Sequence, residues 1–485
     1  MNVNIIKVLE NTIELYSKNV FIKDEVYGSI TYKEFYDRVL LKAEQYLKKG
    51  LSQGGKVFVS ETNPVLILES VFAAWTLQGY SFVINPLTPE VDQKELIERV
   101  KPVIVQKNGN VFCRSGPTFE CDEENVNEIA MVVFTSGTTK NSKGILLSHR
   151  NIISNAMAIA EYIDLQQVDH TLITKSLHHI SPFTGQVLLS MYAGSSISFA
   201  SGVFNPKKIV KCLAENNVTY IDMVGTMLRF IINNMSKDLK VIKSLKFISV
   251  NGEHLSNEDL LRIVRTFQFS KIFYSYGLSE AGPRVTCLQH EDLINKLGSV
   301  GKAIKDVEVK IHYQNEQEQE SNAKRIGEVW IKGPGVMKGY WSNPELTAQK
   351  LKGEWLCSGD IGYLDKDDYL YIVGRMDNMI IRNGQNIYPE EIEDIIKSIT
   401  GVKDCLVTGL NDSLHGEIIL AIVQLDSTEQ IRDTHDLFKY LIQIQTPSYF
   451  IPQKIFICDE IPRSQNGKVL RNKKILEGLF SCLKN

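Results

Sequence analysis

Between Phe134 and Gly144 the chain reads FTSGTTKNSKG, with three Thr, two Ser, two Lys and two Gly in eleven residues. Such a stretch cannot pack as core. It follows the apolar run Ile129-Ala130-Met131-Val132-Val133, and so sits where a strand ends, the place where α/β sheets bind ligands. Gly and small hydroxyl residues let backbone N–H groups converge on an anion, and Lys143 adds charge. The chemistry this suits is phosphate binding. A Walker P-loop is excluded: counting from Gly137, Ser142 stands at the second Gly and Gly144 where Ser or Thr is required. Read alone, the stretch is equally a solvated Ser/Thr turn.

Four further stretches carry groups of this kind. YSYGLSEAGP (274–283) contains Glu280, and WLCSGDIGYL (355–364) contains Asp360. GRMDNMIIRNGQNIYPEEIE (374–393) and PRSQNGKVLR (462–471) follow, the latter with Lys468. The elements that must position them alternate. AMVVF (130–134) predicts a strand, NIISNAMAIAEYI (151–163) a helix, and TLITKS a strand. PKKIVKCLAENN and TMLRFIINNM predict helices on either side of the strand VTYIDMV. LKFISV and KIFYSY predict strands flanking the helix NEDLLRIVRTF. This βαβ alternation implies a parallel sheet covered by helices. VFVSETNPVLILESVFAAWTLQG repeats it earlier in the chain.

After about residue 295 short strands are split by polar turns such as DKDDY, and NEQEQESNAKR (315–325) reads as a polar loop. A smaller unit begins near Asp377 with the helix PEEIEDIIKSI, the strands CLVTGL and IILAIVQL, the helix THDLFKYLIQI and the strand KIFIC. The expected fold class is α/β: a large N-terminal domain of α/β sheets (1–376) and a small C-terminal α+β domain (377–485).

The 485 residues are too many for one ordinary core. An apolar fraction of 43% and a charged fraction of 23% are typical of soluble globular chains. The net charge of −3 gives no basic excess to hold nucleic acid or an anionic membrane. None of the eight Cys forms a C-x-x-C pair, so neither a zinc site nor a redox dithiol is expected. No apolar run approaches the roughly 18 residues of a membrane span, and the N-terminal stretch has no signal-peptide core. A reduced, cytoplasmic protein without a membrane span is the expectation.

In this order and spacing the five stretches resemble the superfamily of acyl- and aryl-CoA synthetases, nonribosomal-peptide adenylation domains and firefly-type luciferases. ITYKEF (30–35), VINPLTPE (83–90) and GEVWIKGPGVMKGYW (327–341) extend the resemblance over nearly the whole chain. It implies a two-step reaction. A carboxylate attacks the α-phosphorus of ATP, giving an acyl-adenylate and pyrophosphate. A phosphopantetheine thiol, on coenzyme A or on a carrier protein, then attacks the adenylate to give a thioester and AMP.

The resemblance also implies roles. Thr135, Ser136, Gly137, Thr138, Thr139, Lys143 and Gly144 match the phosphate loop, with Lys140 replacing a Gly and Ser142 a Pro. Lys, unlike Gly, meets a steric cost at φ > 0, so this implies a different loop path. Glu280 matches the magnesium-binding carboxylate, and Ser279 the residue beside the α-phosphate. Tyr276 lies against adenine, Gly277 leaves room for it, and Gly252 and Glu253 flank it. Asp360 accepts the ribose hydroxyls, and Arg375 reaches the same ribose. Asp377 is the hinge. Lys468 reaches the substrate carboxylate and α-phosphate, where an ammonium stabilises developing charge. After rotation of the small domain, Arg382, Asn383 and Gly384 line the thiol tunnel.

SLHHISPFTG (176–185) aligns with the start of the acyl pocket. His179, or His178 in its place, gates the carboxylate; a neutral core histidine is the alternative. Phe183, Met223, Val224, Val250, Gly252 and Pro283 are the expected pocket residues, and Gly225 stands where Pro is frequent. No acidic residue lies between Ser176 and Ala200 to hold an α-ammonium. An uncharged aliphatic or aromatic acyl chain is therefore expected rather than an α-amino acid. Coenzyme A is the expected acceptor. The alternatives are a freestanding adenylation enzyme that loads a carrier protein, and a regulatory chain that keeps the fold without turnover. Retention of Lys468, Glu280 and Asp360 favours the enzyme.

Overall fold

The computed structural model describes residues 4–113, 128–134, 143–200, 204–239, 242–313, 325–383, 385–412, 414–426, 431 and 433–463. Among them the expected alternation is present. Strands Tyr220–Met223, Phe247–Asn251 and Lys271–Tyr276 pair in parallel, with His170–Ile173 on their other side. They form the centre of a nine-stranded sheet, counted over the described residues. A second sheet of seven strands carries Tyr80–Val83, Ile129–Phe134 and Gly144–Ser148 side by side. Parallel strands covered on both faces read as unbroken apolar runs, and IAMVVF is buried along almost its whole length. One large apolar cluster joins both sheets and extends to Leu370.

Local signals fix how helices enter this core. Thr31 and Glu34 form a reciprocal capping box at the helix Tyr32–Lys48. Asn63 caps the helix Pro64–Thr76, with Pro64 in its first turn. The helix after the phosphate-loop region runs His149–Ala160, two residues earlier than the sequence pattern implied, because Ser148 caps it and Asn151 closes a capping box.

A third, antiparallel sheet pairs Trp355–Leu364 with Gly327–Lys332 and with Leu370–Arg375. The C-terminal sheet is separate. It contains Ile380–Arg382, Val402–Asp412, Gly416–Leu425 and Lys454–Cys458, and it has its own apolar cluster under the helices Pro389–Lys397 and Thr434–Gln443. This is a mixed α/β architecture of a large N-terminal and a smaller C-terminal domain. No helix among the described residues is long and apolar enough to cross a membrane.

Candidate active site

Asp360 sits within the strand Trp355–Leu364 and is 5% exposed. Antiparallel register sets it opposite Arg375, whose Nη1 lies 3.3 Å from its Oδ1. The Tyr276 hydroxyl donates to its Oδ2 at 2.5 Å. Burial pushes the Asp360 carboxyl above its ordinary range, while Arg375 and the Tyr276 hydrogen bond pull it down. Tyr276 ends the strand Lys271–Tyr276, and the chain must turn sharply after it. A Cβ at Gly277 would lie 2.4 Å from the Pro283 carbonyl oxygen, so Gly is required there.

Glu280 lies on the short turn Ser279–Ala281 that follows. Its Oε1 accepts from the Tyr340 hydroxyl at 3.0 Å, and Lys143 Nζ stands 5.8 Å from the centre of the Tyr340 ring. Burial, then the Glu280 charge, pushes the Tyr340 phenol far above its ordinary range. The segment bearing Tyr340 is held at several points. Asn151 Nδ2 donates to the carbonyls of Pro334 and Val336, both at 2.7 Å, and Trp341 N donates to Gly144 O at 2.7 Å. Glu280 contributes to the field at Asp360, and Arg375 to that at Tyr340. Lys143 and Gly144, Glu280 and Asp360 thus share one region. Thr135, Ser136, Gly137, Thr138 and Thr139 lie outside the described residues. Tyr340 stood in the resembling segment with no role assigned to it.

The SLHHISPFTG segment is built differently. His179 precedes the turn Ile180–Pro182, and its ring centre is 4.1 Å from that of His178. His178 Nδ1 lies 2.6 Å from Ser176 Oγ, and burial lowers its pKa to about 4, so the ring is neutral at pH 7. Phe183 is fully buried, edge-on to Trp75. Val250 and Pro283 are buried, and Val224 is half-buried. Behind this segment lies a charged cluster that sequence reasoning missed. Arg284 is fully buried, forms an ion pair with the fully buried Asp222, and donates to Ser181 Oγ at 2.7 Å. Lys175 Nζ contacts Asp222 Oδ1 at 2.8 Å and Asn251 Oδ1 at 2.6 Å. Burial opposes the Asp222 charge, yet Arg284 and Lys175 hold its carboxyl below the ordinary range.

Gly252 takes a left-handed φ of 87° after the strand Phe247–Asn251. Glu253 then turns back, and its Oε2 accepts from Thr226 N at 2.9 Å and from the Thr226 hydroxyl. The C-terminal domain reaches the same place. Arg463, the last described residue of the PRSQNGK stretch, donates to Thr226 Oγ1 at 3.4 Å and forms an ion pair with Asp404. His254 Nε2 donates to Asp394 Oδ2 at 2.9 Å. Asp377 is exposed on the turn Met376–Asn378. Ser279 is half-buried beside Glu280. Gly384 and Lys468 lie outside the described residues.

A buried acid bonded to a tyrosine and an arginine thus stands near a second acid on the turn that follows a strand. Residues 103–341 match the AMP-binding enzyme family, and residues 391–468 match the AMP-binding enzyme C-terminal domain. A 2-succinylbenzoate–CoA ligase of Enterococcus faecalis is 30% identical over 352 residues, 73% of this chain and 70% of that protein. One from Geobacillus sp. is 28% identical over 477 residues, 92% of each chain. The structure of o-succinylbenzoate CoA synthetase from Bacillus subtilis, in complex with its acyl-adenylate intermediate, superposes with a TM-score of 0.83 at 25% identity. It covers 96% of this chain and 97% of that one. The chain belongs to the AMP-binding enzyme family. It is an AMP-forming acid–thiol ligase.

Proposed function

We propose that this chain activates an aromatic carboxylic acid with ATP and transfers it to coenzyme A. The observation that carries the reading is the Asp360–Tyr276–Arg375 cluster set beside Glu280 and Tyr340. Asp360 presents a buried acceptor pair suited to two ribose hydroxyls. Tyr276, positioned by its bond to Asp360, offers a ring face to adenine, with Gly252 and Glu253 at its border. Thr135, Ser136, Gly137, Thr138, Thr139 and Lys143 cradle the outer phosphates. Glu280 would hold a magnesium ion, which would neutralise phosphate charge. The hinge lies at Asp377, dividing 1–376 from 377–485.

In the first step a carboxylate oxygen bonds to the α-phosphorus and the bond to pyrophosphate breaks. Lys468 stabilises the charge on that phosphorus, and His179 gates the carboxylate. In the second step the coenzyme A sulfur bonds to the acyl carbon and AMP leaves; Gly384 then lines the thiol's path. Lys468→Ala is expected to cut adenylate formation by at least about 100-fold, the cost of losing one transition-state donor. Thioester formation from preformed acyl-adenylate is expected to change far less. Single-turnover assays of the two halves check this, and equal losses in both would remove Lys468 from that role.

The choice of an aromatic acid rests on the two relatives described above, each a 2-succinylbenzoate–CoA ligase. The charge layout agrees with an acid lacking an α-ammonium. Asp222 is committed to Arg284 and Lys175, and Glu253 to Thr226. Burying an unpaired ammonium costs several kcal/mol, at about 1.4 kcal/mol per tenfold. Pyrophosphate exchange is therefore expected to be at least about 100-fold faster with 2-succinylbenzoate or benzoate than with phenylalanine. A standard α-amino acid that beats every unsubstituted acid tested would overturn the assignment.

A further inference from the structure

Resting on that two-step reading, the next question is what holds the C-terminal domain against the large one. Two polar contacts tie it to the strand end at Asn251. Arg463 meets Thr226, which is itself held by Glu253. Beside it, His254 Nε2 reaches both oxygens of Asp394, at 2.9 and 3.2 Å. Asp394 belongs to the helix Pro389–Lys397 of the C-terminal sheet, 140 residues further along the chain. The His254 and Asp394 side chains are 39% and 40% exposed, and they line a cavity of about 200 Å³ between the domains. Water and protons reach this contact.

We propose that His254 is a positioning residue for the first half-reaction. Its protonated imidazole, clamped on Asp394, keeps the C-terminal domain turned so that Arg463 meets Thr226. Loss of the proton releases the domain toward the thioester-forming orientation. His254 touches no reacting atom, so it acts through the domain it holds.

The surrounding charges support this. On the facing helix Asp394 and Glu393 favour the protonated ring, and Lys397 opposes it. Lys397 is itself engaged by Glu393 at 3.8 Å and by Asp404 at 3.4 Å. Glu390 and Glu391 of that helix line the same cavity, as do Tyr363 and Tyr371. Glu253 precedes His254 on its own segment. Burial works against the charge, but Asp394 outweighs it, and His254 titrates above the ordinary histidine value. A raised pKa means that the clamp is complete below about pH 6.5, the ordinary value. It is lost as pH rises through the raised one.

The test uses the full chain. Asp394→Asn is expected to lower pyrophosphate exchange about two- to fivefold at pH 6.5, the range of a part-exposed ion pair, and to leave thioester formation from preformed acyl-adenylate undiminished. In the unmutated chain the ratio of first to second half-reaction should fall between pH 6 and 8, and in Asp394→Asn it should be flat. His254→Arg, charged throughout, should keep the ratio high at every pH. Equal losses in both halves, or an unchanged pH profile in Asp394→Asn, would overturn the clamp. Hydrogen exchange in the helix Pro389–Lys397 gives a readout independent of activity. After correction for intrinsic rates, its protection should fall with pH and be low throughout in Asp394→Asn; protection that ignores both would also overturn the clamp. If protection responds while no acid is adenylated, the clamp stands and the functional reading fails.

Discussion

Asp222→Ala is expected to destabilise the large domain by about 3–5 kcal/mol, the cost of removing one partner from a buried charge cluster. The substitution leaves Arg284 fully buried with no carboxylate opposite its Nη2, and takes the Asp222 carboxylate from Lys175. Part of the loss has a pH signature. The Asp222 carboxyl titrates below its ordinary range in the fold. Its contribution is therefore present above the unfolded value of about 3.9 and disappears as pH falls through the lowered folded value. Calorimetry of the large-domain transition at pH 7 and at pH 3 reads both effects. The two proteins should differ most at pH 7 and converge in acid. A difference below about 1 kcal/mol at pH 7, the worth of a surface pair, would mean that the cluster is not structurally important.

This cluster also shows where a sequence stops being legible. VTYIDMV reads correctly as a strand, yet nothing in it says what Asp222 faces. Its partners Lys175 and Arg284 are 47 and 62 residues away, on different loops. The same holds for Tyr340 and Glu280, 60 residues apart, and for His254 and Asp394. Contacts of this kind are set by which strand ends the parallel sheet brings together, and apolar periodicity does not encode that. Asp360 and Arg375 were named because they lie in stretches that resemble a family pattern; that they face each other is set by the register of one hairpin. The strand-and-helix alternation was legible for a simpler reason: buried parallel strands and amphipathic helices have different repeats. The start of the helix at His149 was misplaced by two residues because Asn151, read as its first residue, serves instead as a capping side chain.

Asp360→Asn is expected to reduce kcat/KM for ATP by at least about 100-fold, since hydrogen bonds to a charged group are worth about 1.5–3 kcal/mol each and two are at stake. The two carboxylate oxygens have different neighbours. Oδ2 accepts from Tyr276 and Oδ1 faces Arg375. An asparagine turns one acceptor into a donor, so its amide must confront either the Tyr276 hydroxyl or the Arg375 guanidinium. It also removes the negative charge that offsets Arg375. Tyr276→Phe is the milder companion. It keeps the aromatic ring and removes one donor to Asp360, so the expected loss is at least about tenfold, one hydrogen bond to a charged group. Burial holds the Asp360 carboxyl above its ordinary range. Nucleotide affinity should therefore weaken on the acid side as pH falls through a value above about 3.9, and that limb should be absent in Asp360→Asn. Calorimetric titration with ATP separates affinity from turnover. If Asp360→Asn binds ATP within about threefold of the unmutated chain, well below the worth of one charged hydrogen bond, the Asp360–Tyr276–Arg375 cluster braces the sheet rather than anchoring the ribose. The nucleotide must then be held by the phosphate loop and Glu280 alone.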